Sequence, residues 1–373
     1  MKVGIINCFD TYEHRADLIR DTLKKNGYDV QVYTSDYLHI EKKKRTDNKE
    51  GYVLFHAAPY KRNLSLKRLF SHRNLSRDIV AYLEKSHYTP DLIWVLLPPN
   101  SFAKDAAKLK STKPNIKIVF DVIDLWPETM PLGLAKKYFP FSVWASLRNE
   151  NLRCADFVFT ECDLYREKIS KYLPAKKTET LYLAHPLSTY KPELSLPADR
   201  LNLCYLGSIN NIIDIEMIAG IIRQIRKQTP VNLHIIGDGE KRDELIHAAE
   251  NAGASVDYHG IVYDAKEKER IFNMCHYGLN IMKKSVCVGL TMKSVDYFEF
   301  GLPLINNIHG DTWEIVDKNK VGININKPDE LRLPVLPYSL DMRERTRKFF
   351  EEKLTLNQFE SKVIEAIQTC LDI

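Results

Sequence analysis

Two residues in the second half of the chain have types and spacing suited to holding a nucleotide. Lys293 and Asp296 fall within the stretch Val286 to Asn307, VCVGLTMKSVDYFEFGLPLINN. The turn Val288-Gly289-Leu290-Thr291 leads into a helical pattern from Met292 to Phe300. That pattern stops at Gly301-Leu302-Pro303, and an apolar run, Leu304 to Ile308, follows. A helix N-terminus carries unpaired N–H groups and partial positive charge, so this junction suits a phosphate. Lys293, in the first turn, adds a full charge. Asp296 lies on roughly the same face as Lys293 and Met292, where a carboxylate can accept hydrogen bonds from the vicinal hydroxyls of a ribose. Gly207-Ser208 is a second candidate for phosphate, because a glycine at the end of an apolar run lets backbone approach closely. In the first half, the loop after Val3 to Asn7 carries Asp10, Tyr12, Glu13, His14 and Arg15. Ligands of open α/β sheets bind beyond the carboxyl ends of strands, which makes His14 and Arg15 candidates for contact with a second ligand. A solvated loop with a charged helix start is the other reading of the same residues.

These groups need a scaffold, and the pattern of the chain supplies one. Short apolar runs alternate with helical spacing through both halves, beginning with Val3 to Asn7, Arg15 to Asn26 and Asp29 to Thr34. That rhythm predicts α/β domains with parallel sheets. Leu92 to Pro98 and Ile116 to Ile123 are nearly continuous apolar runs, as strands buried on both faces are. No Gly-x-Gly-x-x-Gly follows the first strand, so the dinucleotide fingerprint is absent. With 373 residues the chain is long for one core. The expected division is 1–186, a Pro-rich linker 187–200, a second domain 201–350, and a terminal helix 351–373 that packs back towards the first domain.

The net charge of +5 is too small to argue for nucleic acid. Seven cysteines, an odd number with no CxxC pair, read as buried reduced thiols. No apolar stretch reaches membrane-spanning length and the N-terminus does not read as a signal peptide, so a cytoplasmic protein is expected. Residues 41–73 hold ten Lys or Arg against three acids, with Tyr52, Phe55, Tyr60, Leu64, Leu66, Leu69 and Phe70 interleaved. Such a patch suits the inner face of an anionic membrane or a pyrophosphate-linked lipid. A solvated charged face is the alternative. For the aromatic segment 132–152, packing of a helix on the sheet is expected.

The stretch around Lys293 resembles the donor-binding segment of GT-B glycosyltransferases of the retaining family-4 type. That segment commonly reads E-G-F-G, then E-A-x-x-x-G-x-P. Val288-Gly289-Leu290-Thr291 aligns with its opening, Asp296 with its second acid, and Gly301 and Pro303 with its close; Lys293 fits a common Asn-Lys sub-pattern. Asp124-Leu125-Trp126-Pro127-Glu128 is similar to a segment after a central strand of the N-terminal domain in the same class, and Gly237-Asp238-Gly239 to a turn of the second domain. The resemblance implies two Rossmann-like doubly wound domains facing each other across a cleft. A nucleotide-diphosphate sugar would be the co-substrate, with no metal and no other cofactor. It assigns donor binding to Gly207, Ser208, Gly237, Gly289, Leu290, Thr291, Lys293 and Asp296, with Ile261 and Val262 against the base. Lys293 would stabilise the departing diphosphate. Asp124 and Glu128 would face the cleft, where a carboxylate orients or deprotonates the acceptor hydroxyl. Asp124 also reads as a simple cap. A glycan or lipid-linked glycan acceptor in bacterial surface polysaccharide synthesis follows by analogy only.

Two departures from the family pattern stand out. Val288 replaces the acid that contacts the transferred sugar. Gly207-Ser208-Ile209-Asn210-Asn211 lacks the Arg and Lys that usually neutralise the diphosphate, leaving that task to Lys293, Lys283, Lys284 or N–H groups alone. A non-catalytic partner subunit and a sugar-nucleotide epimerase on the same fold therefore remain as alternative readings.

Overall fold

The computed structural model describes residues 1–46, 49–62, 65–86, 88–130, 133–174, 177–190, 196–197, 199–332 and 340–371. Leu64, Leu132, residue 339 and much of the expected linker lie outside these. The chain forms two compact units, Met1–Tyr182 with Phe359–Ile373, and Leu183–Gln358.

In the first unit β1 (Lys2–Ile6), α1 (Glu13–Lys25) and β2 (Asp29–Ser35) open the alternation. A short antiparallel pair, β3 (Tyr37–Leu38) and β4 (Lys43–Lys44), precedes β5 (Tyr52–Phe55). Then come α2 (Leu66–Lys85), β6 (Leu92–Leu97), α3 (Asn100–Thr112), β7 (Lys117–Val122), α4 (Phe141–Asn149), β8 (Phe157–Thr160), α5 (Asp163–Ile169) and β9 (Thr178–Thr180). The sheet runs β5-β2-β1-β6-β7-β8-β9 with every pair parallel. All six residues of β6 are buried, which explains its unbroken apolar run. The strand order reverses between β1 and β6, and that switch point is where α/β sheets open a crevice.

The 132–152 segment departs from expectation. It folds into a 3-10 turn at Gly133–Lys137 and the short α4, but Tyr138 and Phe139 are 68% and 82% exposed. Its aromatics are only partly spent on packing, chiefly through Trp144 against Trp126.

The second unit contains β10 (Leu201–Leu206), α6 (Ile215–Arg226), β11 (Val231–Ile236), α7 (Arg242–Asn251), β12 (Ala254–Gly260), α8 (Ala265–Asn273) and β13 (Tyr277–Asn280). It continues with α9 (Met292–Glu299), β14 (Leu304–Asn306), α10 (Asp311–Asn319), β15 (Gly322–Asn324) and α11 (Leu340–Lys353). Its parallel sheet has the order β12-β11-β10-β13-β14-β15, doubly wound with the switch point between β10 and β13. Isoleucines 218, 221, 222 and 225 of α6 recur at three- and four-residue spacing and are fully buried against the sheet. The last helix, α12 (Leu356–Leu371), buries Phe359, Val363, Ala366, Ile367 and Cys370 along one stripe. From Phe359 it belongs to the first unit, where Lys362 donates to the Thr180 carbonyl and Lys25 pairs with Glu360.

Candidate functional site

The junction of loop and α9 lies at the carboxyl ends of β10 and β13. Thr291 is the N-cap: extended in backbone, it accepts a hydrogen bond from the Ser294 N–H. Its hydroxyl donates to Asn280 Oδ1 at 2.9 Å. Asn280 in turn donates to Asn306, and Asn306 to Asn324, so one asparagine at the end of each of three adjacent strands forms a ladder beneath the cap. Thr312 fixes the preceding loop by donating both its N–H and its hydroxyl to the Gly289 carbonyl. Asn307 grips both backbone groups of Met282. The pairing of β10 with β13 ends at Cys204–Gly278. Beyond it the Tyr297 hydroxyl accepts from the Leu206 N–H and donates to the Cys204 carbonyl. One side chain of α9 thereby satisfies the backbone groups freed where the two strands part.

The glycines work differently from one another. Gly207, at φ +112°, has open space where a Cβ would stand, as a residue meant to be approached by a ligand needs. Gly237, at φ +134°, has no such space, because a Cβ there would lie 2.0 Å from the Gly207 carbonyl oxygen. Its backbone N–H donates to the Gly260 carbonyl, so it laces the loops together rather than presenting itself. Ser208 is exposed, and its carbonyl accepts from the Tyr205 hydroxyl. Ile261 is 57% exposed and Val262 half-buried just past β12, free to lie against a flat ring.

Lys293 is the electrostatic centre of the site. Its Nζ is shielded from solvent, lies 4.4 Å from the centre of the Tyr205 ring, and has no hydrogen-bond partner among the described residues. Burial lowers its pKa to about 8. A buried, unpartnered ammonium is costly, and an anion at the α9 N-terminus would relieve it. Asp296 accepts from Lys268 Nζ at 2.7 Å through Oδ1, and its other oxygen bonds to no described residue. His185, Asp296 and Glu299 bring ligand atoms within 4.8 Å of one another. Those groups already have partners, His185 with Glu299 and Asp296 with Lys268, so a metal would have to displace an existing charge. Val288 is half-buried in the loop, and Lys283 and Lys284 are exposed.

In the first unit the expected residues separate. Asp124 receives three short hydrogen bonds, from the Leu125 N–H, Trp126 Nε1 and Thr129 Oγ1. Burial pushes its carboxyl above the usual range, against the pull of those donors. It therefore shapes its own loop, and Tyr12 lies within reach of its charge. Glu128 pairs with Arg148, a fully buried guanidinium that also donates to the Trp126 carbonyl. That carboxylate thus helps to hold the loop in place. Arg15 turns inwards, away from the solvated loop that its position after a strand also allowed. It is buried and donates through Nε and Nη2 to both oxygens of Asp121, at 2.8 Å each, and also to the Leu181 carbonyl. An apolar sheet core needs Asp121 neutralised, and Arg15 does this from α1. His14 is exposed at the start of α1.

Residues that sequence reasoning missed stand next to these. The Arg68 guanidinium lies 4.6 Å from the Trp126 ring centre, 5.3 Å from Phe9 and 5.7 Å from Tyr60. His39 and His72 flank the same rings, and burial followed by the charge of Arg68 lowers both their pKa values, that of His39 to about 4. The signal was present in the alternation of basic and aromatic residues in 41–73, but not the residue on which it converges.

Two parallel-sheet α/β units of this order define the fold of the GT-B glycosyltransferases. Residues 200–333, a little over a third of the chain, match the family model described as Glycosyl transferases group 1. Solved structures agree on the fold. Sucrose-phosphate synthase (tll1590) from Thermosynechococcus elongatus superposes with a TM-score of 0.70 at 12% identity, covering 100% of this chain and 99% of that one. The apo form of the lipopolysaccharide outer core galactosyltransferase WaaB gives 0.68 at 14% identity, covering 98% and 99%. Anabaena Alr3699/HepE in complex with UDP gives 0.68 at 12% identity, covering 99% and 100%. Among curated proteins no match is found. No helix among the described residues is long and apolar enough to cross a membrane.

Proposed function

We propose that this protein transfers a glycosyl group from a nucleotide-diphosphate sugar to an acceptor hydroxyl. One observation carries the reading: a shielded, unpartnered Lys293 ammonium in the first turn of a Thr291-capped helix, at the switch point of a doubly wound sheet. The diphosphate takes the helix N–H groups, the open Gly207 backbone and the Lys293 charge. Asp296 takes the ribose hydroxyls, and Ile261 with Val262 packs on the base. The bond from the anomeric carbon to the β-phosphate oxygen breaks, and a bond from that carbon to the acceptor oxygen forms. The nucleoside diphosphate departs, and the acceptor proton passes to a base or to the departing phosphate. Charge on that leaving group meets donors already in place, which lowers the barrier without reorganisation. Retention of anomeric configuration, independence of metal, and a glycan or lipid-linked glycan acceptor in surface polysaccharide synthesis at the inner membrane face complete the proposal. The basic and aromatic character of residues 41–73 supports the last of these.

Structures of similar fold support the donor class, since Anabaena Alr3699/HepE is solved in complex with UDP-glucose. The test is incubation with UDP-, GDP- and dTDP-sugars. Transfer, or slow hydrolysis releasing nucleotide, is expected. Isomerised sugar without release would make the protein an epimerase instead. A second reading, a partner subunit without turnover, is favoured by Val288 and by the lack of any cation in Gly207 to Asn211. It predicts nucleotide binding with no product from any donor.

A further inference from the structure

A cavity of about 450 Å³ opens in the first unit beside the hairpin β3–β4 and the start of α2. Tyr37 and Tyr60 form its apolar wall, the Tyr37 hydroxyl donating to the Tyr60 carbonyl at 2.5 Å. Four cations line it: Lys42, Lys61, Arg62 and Lys67. No Asp or Glu is among its described lining residues. Lys61, Arg62 and Lys67 form no ion pair with any described residue, although surface cations elsewhere in this unit, such as Lys25, Lys43 and Lys44, do. Lys42 adopts φ +55°, uncommon for a residue with a side chain, and this turn carries its ammonium over the Tyr60 ring at 5.1 Å. Ser65, the N-cap of the 20-residue α2, also lines the cavity, so the positive end of that helix borders it. Burial and the charge of Arg68 depress the pKa of Lys42, against the smaller opposing pull of Asp10.

We propose that this cavity is a binding subsite for a phosphate group carried by the acceptor. Its size suits a small ligand or headgroup, and four cations in a lining with no described carboxylate favour a multiply charged anion over a neutral sugar. The site is continuous with the rest of the sheet end. Tyr60 packs on Arg68, and Arg68 on Trp126 of the Asp124 loop. Leu66 and Phe70 are exposed one turn apart on α2 beside the cationic rim, so an apolar tail on the phosphate would also be accommodated. This inference rests on the glycosyl-transfer reading for the word acceptor, but not for the binding of phosphate itself.

The test uses the full chain saturated with UDP, titrated with glycerol phosphate and, separately, with vesicles of phosphatidic acid in phosphatidylcholine. The two probes present one headgroup chemistry in free and membrane-bound form. Binding of at least one probe is expected. The triple variant K61Q/R62Q/K67Q, altering exposed side chains only, should weaken it at least tenfold with UDP affinity unchanged. A control triple of equal charge change, K24Q/K104Q/K108Q, should shift it less than twofold. Binding of glycerol phosphate assigns the subsite to soluble phosphorylated acceptors, and binding of vesicles alone assigns it to lipid-linked ones. The proposal is overturned if neither probe binds at millimolar concentration, or if both triples weaken binding equally. A chain that binds phosphate at this subsite but no nucleotide would retain the subsite and remove the glycosyl-transfer reading.

Discussion

The two units share a strand order around their switch points but finish their sheets in opposite ways. In the second unit the carboxyl ends carry small and polar groups: Gly207 and Gly237, the Asn280–Asn306–Asn324 ladder, and one shielded cation, Lys293. In the first unit the corresponding edge is crowded with rings and charge, with Arg68 among Phe9, Tyr60 and Trp126. Backbone N–H groups and a helix end recognise phosphate whatever it is attached to. Aromatic faces and clustered cations select a particular shape and charge. The difference suggests a constant ligand class for the second unit and a more particular one for the first.

The comparison breaks most sharply at Arg15. If that residue serves the core of the first unit, Arg15→Met leaves Asp121 buried and uncompensated. Stability should then fall by about 3–5 kcal/mol in denaturant unfolding, with nucleotide affinity of the folded fraction intact. Unchanged stability together with a raised acceptor KM would return Arg15 to the site. The matching experiment in the second unit is Tyr297→Phe. Removing the hydroxyl strands the Leu206 N–H and the Cys204 carbonyl where β10 and β13 part. A loss of about 2–4 kcal/mol is expected, accompanied by weaker nucleotide binding because α9 loses its anchor. A variant as stable as the parent would show that α9 is held by packing alone.

How far these contrasts can be read from sequence follows from the range of the interactions. Leu92 to Pro98 and Ile116 to Ile123 announce β6 and β7, because burial on both faces demands nearly unbroken apolar residues. The helix expected from Met292 to Phe300 ends one residue earlier, at Glu299, since its cap and its Gly301 stop are local signals. Arg15 and Asp121 are 106 residues apart, and Tyr297 lies 91 from Leu206. Nothing in the spacing near either residue points to its partner. A charged residue following a strand looks the same in sequence whether it turns to solvent or, as Arg15 does, into the core. The exposure of Tyr138 and Phe139 was hidden likewise, because aromatic composition alone does not say which side of the turn before α4 is covered.

Lys293 offers a subtler test of the second unit, because its protonation reports whether the site is empty. The folded-state pKa of about 8 lies below the ordinary 10.5. Between those values the unfolded chain holds a proton that the folded chain lacks, so stability rises with pH across that window. The penalty is present in full below pH 8 and gone above about 10.5. Wild-type protein should therefore gain about 1–3 kcal/mol from pH 7.5 to 10 relative to Lys293→Met in parallel urea titrations. The variant should be the more stable of the two at pH 7 while binding nucleoside diphosphate less tightly. Diphosphate binding near pH 8.5 should also take up a proton, detectable as a buffer-dependent heat. Parallel pH profiles would mean that the ammonium is hydrated in solution and does not await an anion.

The smallest expected effect is at Asp296, and it asks whether the second unit recognises ribose or only phosphate. One oxygen of Asp296 is engaged by Lys268 and the other is open, so a ribose hydroxyl gains one charge-assisted hydrogen bond there. Asp296→Ala should weaken UDP by about 1–2 kcal/mol, while leaving inorganic pyrophosphate, which has no ribose, nearly unaffected. Lys268→Met separates this from a general change in charge: it frees the second oxygen, so nucleoside binding should hold or improve although a nearby cation is lost. Equal weakening of UDP and pyrophosphate by Asp296→Ala would place the carboxylate's effect on the helix, not on the sugar. The polar finish of this sheet would then be a phosphate cradle alone, and selection among nucleotides would fall to Ile261 and Val262.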